Sequence, residues 1–145
     1  MSCSVDVKLA ESFARKAHAG TLDKGGSPYI DHPRRVAERL NTDEEKVVGW
    51  LHDVVEDTVT TLTDIAFTFG EETAAAVDAI THRKGESWSD YLIRVKVHPI
   101  AKAVKISDLT DNINLGRLPR VTEKDVRRAE KYIRALYFLM ELDGE

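Results

Sequence analysis

Val47-Val48-Gly49-Trp50-Leu51-His52-Asp53-Val54-Val55-Glu56-Asp57-Thr58 is the stretch on which the reading of this chain turns. Its apolar residues, Val47, Val48, Trp50, Leu51, Val54 and Val55, predict a helix that runs through the core. Between them stand His52, Asp53, Glu56 and Asp57, all competent to bind metal or move protons. On a helix, residues four apart share a face, which stacks His52 over Glu56 and Asp53 over Asp57. Adjacent His52 and Asp53 suit the gripping of one cation, while the acids one turn on suit the handling of a water or a substrate proton. Acids on so apolar a helix are partly desolvated and require partners.

Working upstream, Thr42-Asp43-Glu44-Glu45 is a capping box that launches this helix. Asn41 stops the preceding one, which runs through Leu40 and has Pro33 at its first position, so that His32 falls at or beside the N-cap. Before it lies a polar loop punctuated by Gly20, Gly25, Gly26 and Pro28. The first helix is expected to be capped by Ser4, with Val5, Leu9, Phe13 and Ala17 inward and His18 at its end. Downstream, Thr61-Leu62-Thr63-Asp64 reads as a second capping box, opening a short helix with Leu62, Ile65, Ala66 and Phe69 inward, closed by Gly70. An alanine-rich helix follows from Glu71 to Thr81. Ser87 starts the next, with Trp88, Tyr91, Leu92 and Val95 spaced for burial, and Pro99 requires it to end near His98.

From Ile100 to Leu115, Val104, Asp108, Asp111 and Asn112 share a face, Lys105 lies a turn from Asp108, and Gly116 ends the helix. Thr122-Glu123-Lys124-Asp125 caps a final helix whose expected inward stripe is Val126, Ala129, Tyr132, Ile133, Leu136, Tyr137 and Met140. No convincing alternating run of a strand occurs. The expected fold is all-α, in one domain spanning 1–145.

The net charge of −4, from 21 basic and 25 acidic residues, gives no global reason to expect a nucleic-acid or anionic-membrane partner. Cys3 is the single cysteine, which excludes an internal disulfide and makes a thiolate metal site improbable. No apolar run reaches the ~18 residues of a membrane span, and Met-Ser-Cys-Ser-Val-Asp lacks the basic start and apolar run of a signal peptide. The expectation is a cytoplasmic protein. An oligomer is compatible with the sequence, which names no interface.

Three polar clusters therefore sit on separate helices: His32, His52-Asp53 and Asp108. Two imidazoles and two carboxylates make a usable shell for a divalent cation with positions left for water and substrate. Taken singly, each has a plainer reading: a polar helix start, a satisfied core histidine, a solvated face. The Trp88 and Tyr91 pair reads as core in preference to a base-stacking surface.

The ordered set, His32-Pro33, then His52-Asp53-Val54-Val55-Glu56-Asp57-Thr58, then Val104-Lys105-Ile106-Ser107-Asp108-Leu109-Thr110-Asp111-Asn112, resembles the metal-dependent HD-domain phosphohydrolases. More closely, it is similar to the RelA/SpoT-type alarmone hydrolases, which remove the 3′-pyrophosphate of ppGpp using Mn²⁺. The resemblance covers about Ala14 to Leu118. It implies an HD-type helical bundle, metal ligands at His32, His52, Asp53 and Asp108, and a water-activating pair at Glu56 and Asp57.

Ala17-His18-Ala19-Gly20 and Pro28-Tyr29-Ile30-Asp31-His32-Pro33 match a further segment of that family, which puts His18 and Tyr29 among the candidate substrate contacts, His18 reading equally as a helix-end residue that faces a neighbour. Thr81 ends a matching Val77–Thr81 run, and Asn112 matches a ligand-contacting asparagine. Lys24, Arg83 and Lys105 are the basic residues expected to meet phosphate, Lys84 being the substitute for Arg83. Two positions depart from the pattern: Asp23 stands where the family carries an arginine that lies against guanine, and His82 where lysine is common. The expected activity is Mn²⁺-dependent hydrolysis of a nucleotide pyrophosphate, ppGpp first, with a small-molecule nucleotide as partner. Another nucleotide or phosphorylated metabolite on the same fold, or a non-catalytic metal-dependent nucleotide sensor, are the competing readings. The chain stops where the family's larger members begin a synthetase domain, so alarmone synthesis is not expected.

Overall fold

The computed structural model describes residues 6–141, and within them all extended regular structure is helical. The elements are α1 (Val7–Ala17), α2 (Asp31–Glu38), α3 (Asp43–Leu51), α4 (Val54–Asp57), α5 (Leu62–Phe69), α6 (Glu71–Ile80), α7 (Trp88–Lys96), α8 (Pro99–Ile113) and α9 (Glu123–Met140). A 3₁₀ turn at Leu115–Arg117 follows α8. The loop between α1 and α2 is pinched by one antiparallel bridge between Leu22 and Pro28.

Helices α3 and α8 form the centre. Helix α3 packs on α1, α2, α6 and α8, and α8 packs also on α2, α6, α7 and α9. Their meeting faces are fully apolar in the middle: Val47, Val48, Leu51, Val54, Val104 and Leu109 are each no more than 1% exposed. At Gly49 α3 comes so close to α2 that a Cβ would lie 2.9 Å from the Leu40 Cδ1 and 3.1 Å from the Ala37 Cα. Only the smallest residue permits that approach.

The helix starts obey local chemistry. Thr42 with Glu45, Thr61 with Asp64 and Thr122 with Asp125 all form reciprocal capping boxes. Ser87 caps α7, and His98 caps α8 ahead of Pro99. Gly70 closes α5 with φ of 100°, a conformation that favours glycine.

Four local expectations are corrected. Asp6 caps α1 by accepting from the Leu9 amide, while Ser4 and Val5 lie outside the described residues, as does Cys3. Phe13 and Ala17 pack half-buried against the core as expected, but the fully buried residues of α1 are Ala10 and Ala14, and Leu9 points outward. Helix α8 ends at Ile113 with Asn114 as its cap, before Gly116. In α9, Val126, Ile133, Tyr137 and Met140 are exposed, while Asp125, Ala129, Ala135 and Leu139 are buried. Ala129, Tyr132 and Leu136 of the expected stripe do pack inward; small alanines let α9 approach α8, and that rotation carries the other four apolar side chains outward.

The largest correction concerns the central helix, which does not run unbroken to Glu56. Helix α3 ends at Leu51, and His52 and Asp53 form a turn before the single-turn α4. The His52 imidazole takes the Gly49 carbonyl, Nδ1 to O 2.7 Å. That carbonyl is the acceptor the next helical turn would use, and a side chain inserted there interrupts the ladder. The predicted stack of His52 over Glu56 is thereby lost.

Candidate metal centre and active site

The break in the central helix delivers His52 and Asp53 to the open end of the α3/α8 seam. The first turn of α2 brings His32, and the middle of α8 brings Asp108. Their atoms converge: His32 Nε2 lies 2.8 Å from Asp108 Oδ1 and 3.8 Å from Asp53 Oδ2. His52 Nε2 lies 3.2 Å from Asp53 Oδ2 and 3.3 Å from Asp108 Oδ1. Three of the groups, His32, His52 and Asp53, each offer an atom within 4.8 Å of the others'. Ligand atoms held about 2.0–2.2 Å from a shared cation adopt spacings of this order.

The imidazoles are oriented from behind. The Gly49 carbonyl can only accept, so Nδ1 is the nitrogen of His52 that keeps its proton, and Nε2 is the one that faces the cluster. His32 Nδ1 is 2.6 Å from Asp111 Oδ2, which does the same for the second ring. Asp111 is 1% exposed and is held by Arg35, Arg39 and Arg117. On the carboxylate side, Lys105 Nζ binds Asp108 Oδ2 at 2.9 Å, and the Asn112 amide reaches Oδ1 at 3.1 Å. The Tyr29 hydroxyl donates to Asp53 Oδ2. The Lys105 ammonium also rests against the Tyr91 and Trp88 rings, which gives those aromatics the packing role the sequence favoured.

The electrostatics follow from burial opposed by partners. Burial alone would depress His52, but Asp53 and Asp108 raise it well above the usual histidine range. Burial works against His32 too, and its hydrogen bonds with Asp108 and Asp111 carry it upward. Asp53 would be raised by burial, yet the His52 charge brings it down to about 2. A set with two imidazole nitrogens and two ionised carboxylates attracts proton and cation alike. That mixed nitrogen and oxygen donor set fits a divalent transition ion better than the all-oxygen sets magnesium and calcium favour.

A cavity of about 630 Å³ opens from this cluster. His32, Asp53 and Asp108 form its floor together with Asp57, Tyr29 and Lys105. Its far wall is the loop Thr21–Gly25, the turn Asn114–Leu118, and Arg128 and Tyr132 of α9. Asp57 faces this space, with its carboxyl raised first by partial desolvation and then by the Asp53 charge. Glu56, also raised chiefly by desolvation, accepts a 2.6 Å hydrogen bond from the His82 amide.

Of the residues expected to contact substrate, His18, Lys24, Tyr29, Lys105 and Asn112 line the cavity. His18 is 3% exposed, its Nε2 has no partner among the described residues, and burial lowers its pKa. Thr81 and Arg83 do not reach the cavity. The Thr81 hydroxyl donates to the Val77 carbonyl, and Arg83 pairs with Asp78 on the surface. Sequence reasoning passed over Arg128 and Tyr132, which the rotation of α9 brings to the wall. The usable signal was their four-residue spacing beside the Asp125 cap, since Arg128 donates to Asp125 at 2.8 Å. It also treated Asp111 as one polar residue among several.

Residues 10–90 match the HD domain family. The chain is 38% identical over 149 aligned residues to a guanosine-3′,5′-bis(diphosphate) 3′-pyrophosphohydrolase of Danio rerio, covering 91% of this chain and 82% of that protein. It is 32% identical over 120 residues to a bacterial protein of the same name from Aquifex aeolicus, covering 74% of this chain and 17% of the relative. The chain thus spans about a sixth of such long bacterial relatives. Among solved structures, one described as a metazoan ortholog of SpoT that hydrolyzes ppGpp superposes with a TM-score of 0.78 over 96% of this chain and 87% of that one, at 19% identity, and shares the fold. A Listeria monocytogenes protein of 31% identity superposes with a TM-score of 0.63, covering 83% of this chain and 85% of that one.

Proposed function

This chain belongs to the HD-domain family, alongside homologues named as ppGpp 3′-pyrophosphohydrolases, and from that premise we propose that it is a Mn²⁺-dependent hydrolase that removes the 3′-pyrophosphate of guanosine 3′,5′-bis(diphosphate). The observation that carries the reading is the convergence of His32, His52, Asp53 and Asp108 at the floor of a cavity that Asp57 also lines.

His32, His52, Asp53 and Asp108 would hold the ion, with Asp111 and the Gly49 carbonyl keeping both rings aimed. When bound, a divalent cation supplies Lewis-acid charge and lowers the pKa of water. The chain's own acids manage the proton. Asp57 takes one from the water that attacks the phosphorus next to the 3′-oxygen, the bond from that phosphorus to the 3′-oxygen breaks, and the proton returns to the departing oxygen. The products are GDP and pyrophosphate. Glu56 is the second acid of the pair; it accepts from the His82 amide and is not among the side chains that line the cavity. Lys105, Lys24 and Arg128 offer positive charge to the phosphates from the cavity wall. A nucleotide substrate supports a cytoplasmic location; separately, no described helix is long and apolar enough to cross a membrane.

The test is release of GDP and pyrophosphate from ppGpp by the purified protein with Mn²⁺, repeated with a chelator and with Asp53→Ala. Turnover in the first case alone supports the assignment. A folded, metal-loaded protein that leaves ppGpp intact refutes the substrate, and unchanged Mn²⁺ affinity in Asp53→Ala refutes the ligand set.

A further inference from the structure

The cavity wall away from the metal-ligand cluster places an open acceptor beside an open donor. Asp23 Oδ1 is occupied in folding its own loop, accepting from the Gly25 and Ser27 amides at 2.9 Å each. Its Oδ2 has no hydrogen-bond partner among the described residues and faces Arg117 Nη1 at 3.9 Å. Arg117 is anchored through Nη2, which donates to the Asp111 carbonyl at 2.9 Å and to Asp111 Oδ2 at 3.3 Å. Its Nη1 and Nε donate to nothing described, although a guanidinium has five N–H groups to place.

Backbone holds the two groups in register. The loop sits directly on the turn after α8, and a Cβ on Gly25 would lie 2.7 Å from the Arg117 carbonyl oxygen. Leu22, Leu115 and Leu118 supply apolar surface beside them. Asp111 links Arg117 to His32, so one carboxylate and one imidazole separate this pair from the metal-ligand atoms. One cavity joins the metal-ligand cluster to this wall, so a nucleotide with its 3′-phosphates at the cluster has this wall available for its base.

We propose that Asp23 and Arg117 together read the Watson–Crick edge of guanine: Asp23 Oδ2 accepts from N1–H and the 2-amino group, and Arg117 donates to O6. This rests on the nucleotide-hydrolase reading above and adds the determinant of base choice. Guanine presents acceptor and donors in the order this pair requires. Adenine presents the reverse, an amino donor toward Arg117 and the N1 acceptor toward Asp23, so both contacts are lost and like faces like. Asp23 is thus a specificity residue in spite of its negative charge.

Steady-state kinetics on guanosine and adenosine 3′,5′-bis(diphosphate) test it in the parent, Asp23→Asn and Arg117→Gln. The asparagine keeps an Oδ1 acceptor for the loop and exchanges only the cavity-facing acceptor for a donor. The parent is expected to favour guanosine by about a hundredfold or more in kcat/KM, and each variant to lose about tenfold or more of that preference. The loss should fall mainly in KM, because the base is remote from the reacting phosphorus. Competitive inhibition of the parent by GDP and ADP provides a reading that does not depend on either variant folding, with GDP expected to bind more tightly. Equal use of both nucleotides by the parent, or full preference retained in both variants, overturns the base assignment while leaving the hydrolase in place. A parent that cleaves neither nucleotide overturns the hydrolase reading, and the base assignment falls with it.

Discussion

Replacing Asp111 with asparagine is the sharpest probe of how the centre is built, since the change is nearly isosteric and lies behind the ligands. In the parent, Oδ1 accepts from Arg35 Nε at 2.8 Å and Arg39 Nη1 at 3.1 Å. Oδ2 meets His32 Nδ1 at 2.6 Å, Arg35 Nη2 at 3.1 Å and Arg117 Nη2 at 3.3 Å. An amide retains one acceptor and turns an NH₂ toward the donors of the other side. One buried hydrogen bond to a charged group is worth about 1.5–3 kcal/mol. The arginines keep part of their hydration, with side chains 23%, 39% and 34% exposed, so their loss lies at the small end. The sum is about 3 kcal/mol, which at ~2–4 °C per kcal/mol is a fall of about 6–12 °C in Tm. His32 also loses its aim, and loss of such an outer partner typically costs ~10–100-fold in metal affinity. Thermal unfolding in chelator and Mn²⁺ titration of parent and variant measure both effects. A variant that melts within about 1 °C of the parent and binds Mn²⁺ equally well would show that Asp111 neither holds the fold nor aims the ring.

Other expectations follow from the same geometry. Asp57→Asn is expected to lower kcat by ~10²–10⁴ with Mn²⁺ affinity retained, and Glu56→Gln to do so less severely, as single-turnover rates would show; equal rates in both variants would remove them from proton handling. Because the Asp57 carboxyl is raised by desolvation and by Asp53, its working form is present above that raised pKa and lost as the pH falls through it. The acid limb of kcat/KM should therefore lie above the ordinary aspartate pKa of about 3.9 and should flatten in Asp57→Asn. Gly49→Ala forces a Cβ toward Leu40 and Ala37 and should cost about 1–3 kcal/mol in denaturant unfolding; an unchanged midpoint would mean that α2 and α3 separate freely.

What could be read from the sequence was chiefly local. The three capping boxes at Thr42, Thr61 and Thr122, the Ser87 cap and the stop before Pro99 depend on side chains a few residues from the backbone they serve, and the structure has all of them. The order of His32, His52-Asp53 and Asp108 was visible too, although only tertiary packing could bring each imidazole within 4 Å of both carboxylates. The errors share a physical origin in contacts between elements. On α9, Ala129 was legible as inward, but the burial of Ala135 and Leu139 depends on packing between elements, which no count of apolar residues favours. The break at His52 came from an imidazole competing for a carbonyl within the helix. Asp23 showed in the sequence only as a departure from the family's arginine, while its carboxylate closes a loop and faces Arg117. Thr81 matched a family run and Arg83 was expected to meet phosphate, yet neither lines the cavity, their side chains being held by the Val77 carbonyl and Asp78.

The tight seat of α3 has a consequence for how this chain can change length. Its start is fixed by the Thr42 cap, its middle by Gly49 against Ala37, and its end delivers His52 and Asp53. At 3.6 residues per turn, deleting or inserting one residue between Asp43 and Leu51 swings everything beyond it by about 100°. His52 would leave the cluster in a single step, with no intermediate geometry to select. Past the ligands the constraint ends: the segment Thr58–Thr60 lies outside helices and Val59 is 98% exposed, so extra residues there only lengthen a surface loop. Length variation among functional variants of this chain should therefore accumulate immediately after Asp57 and be missing from the turns immediately before His52.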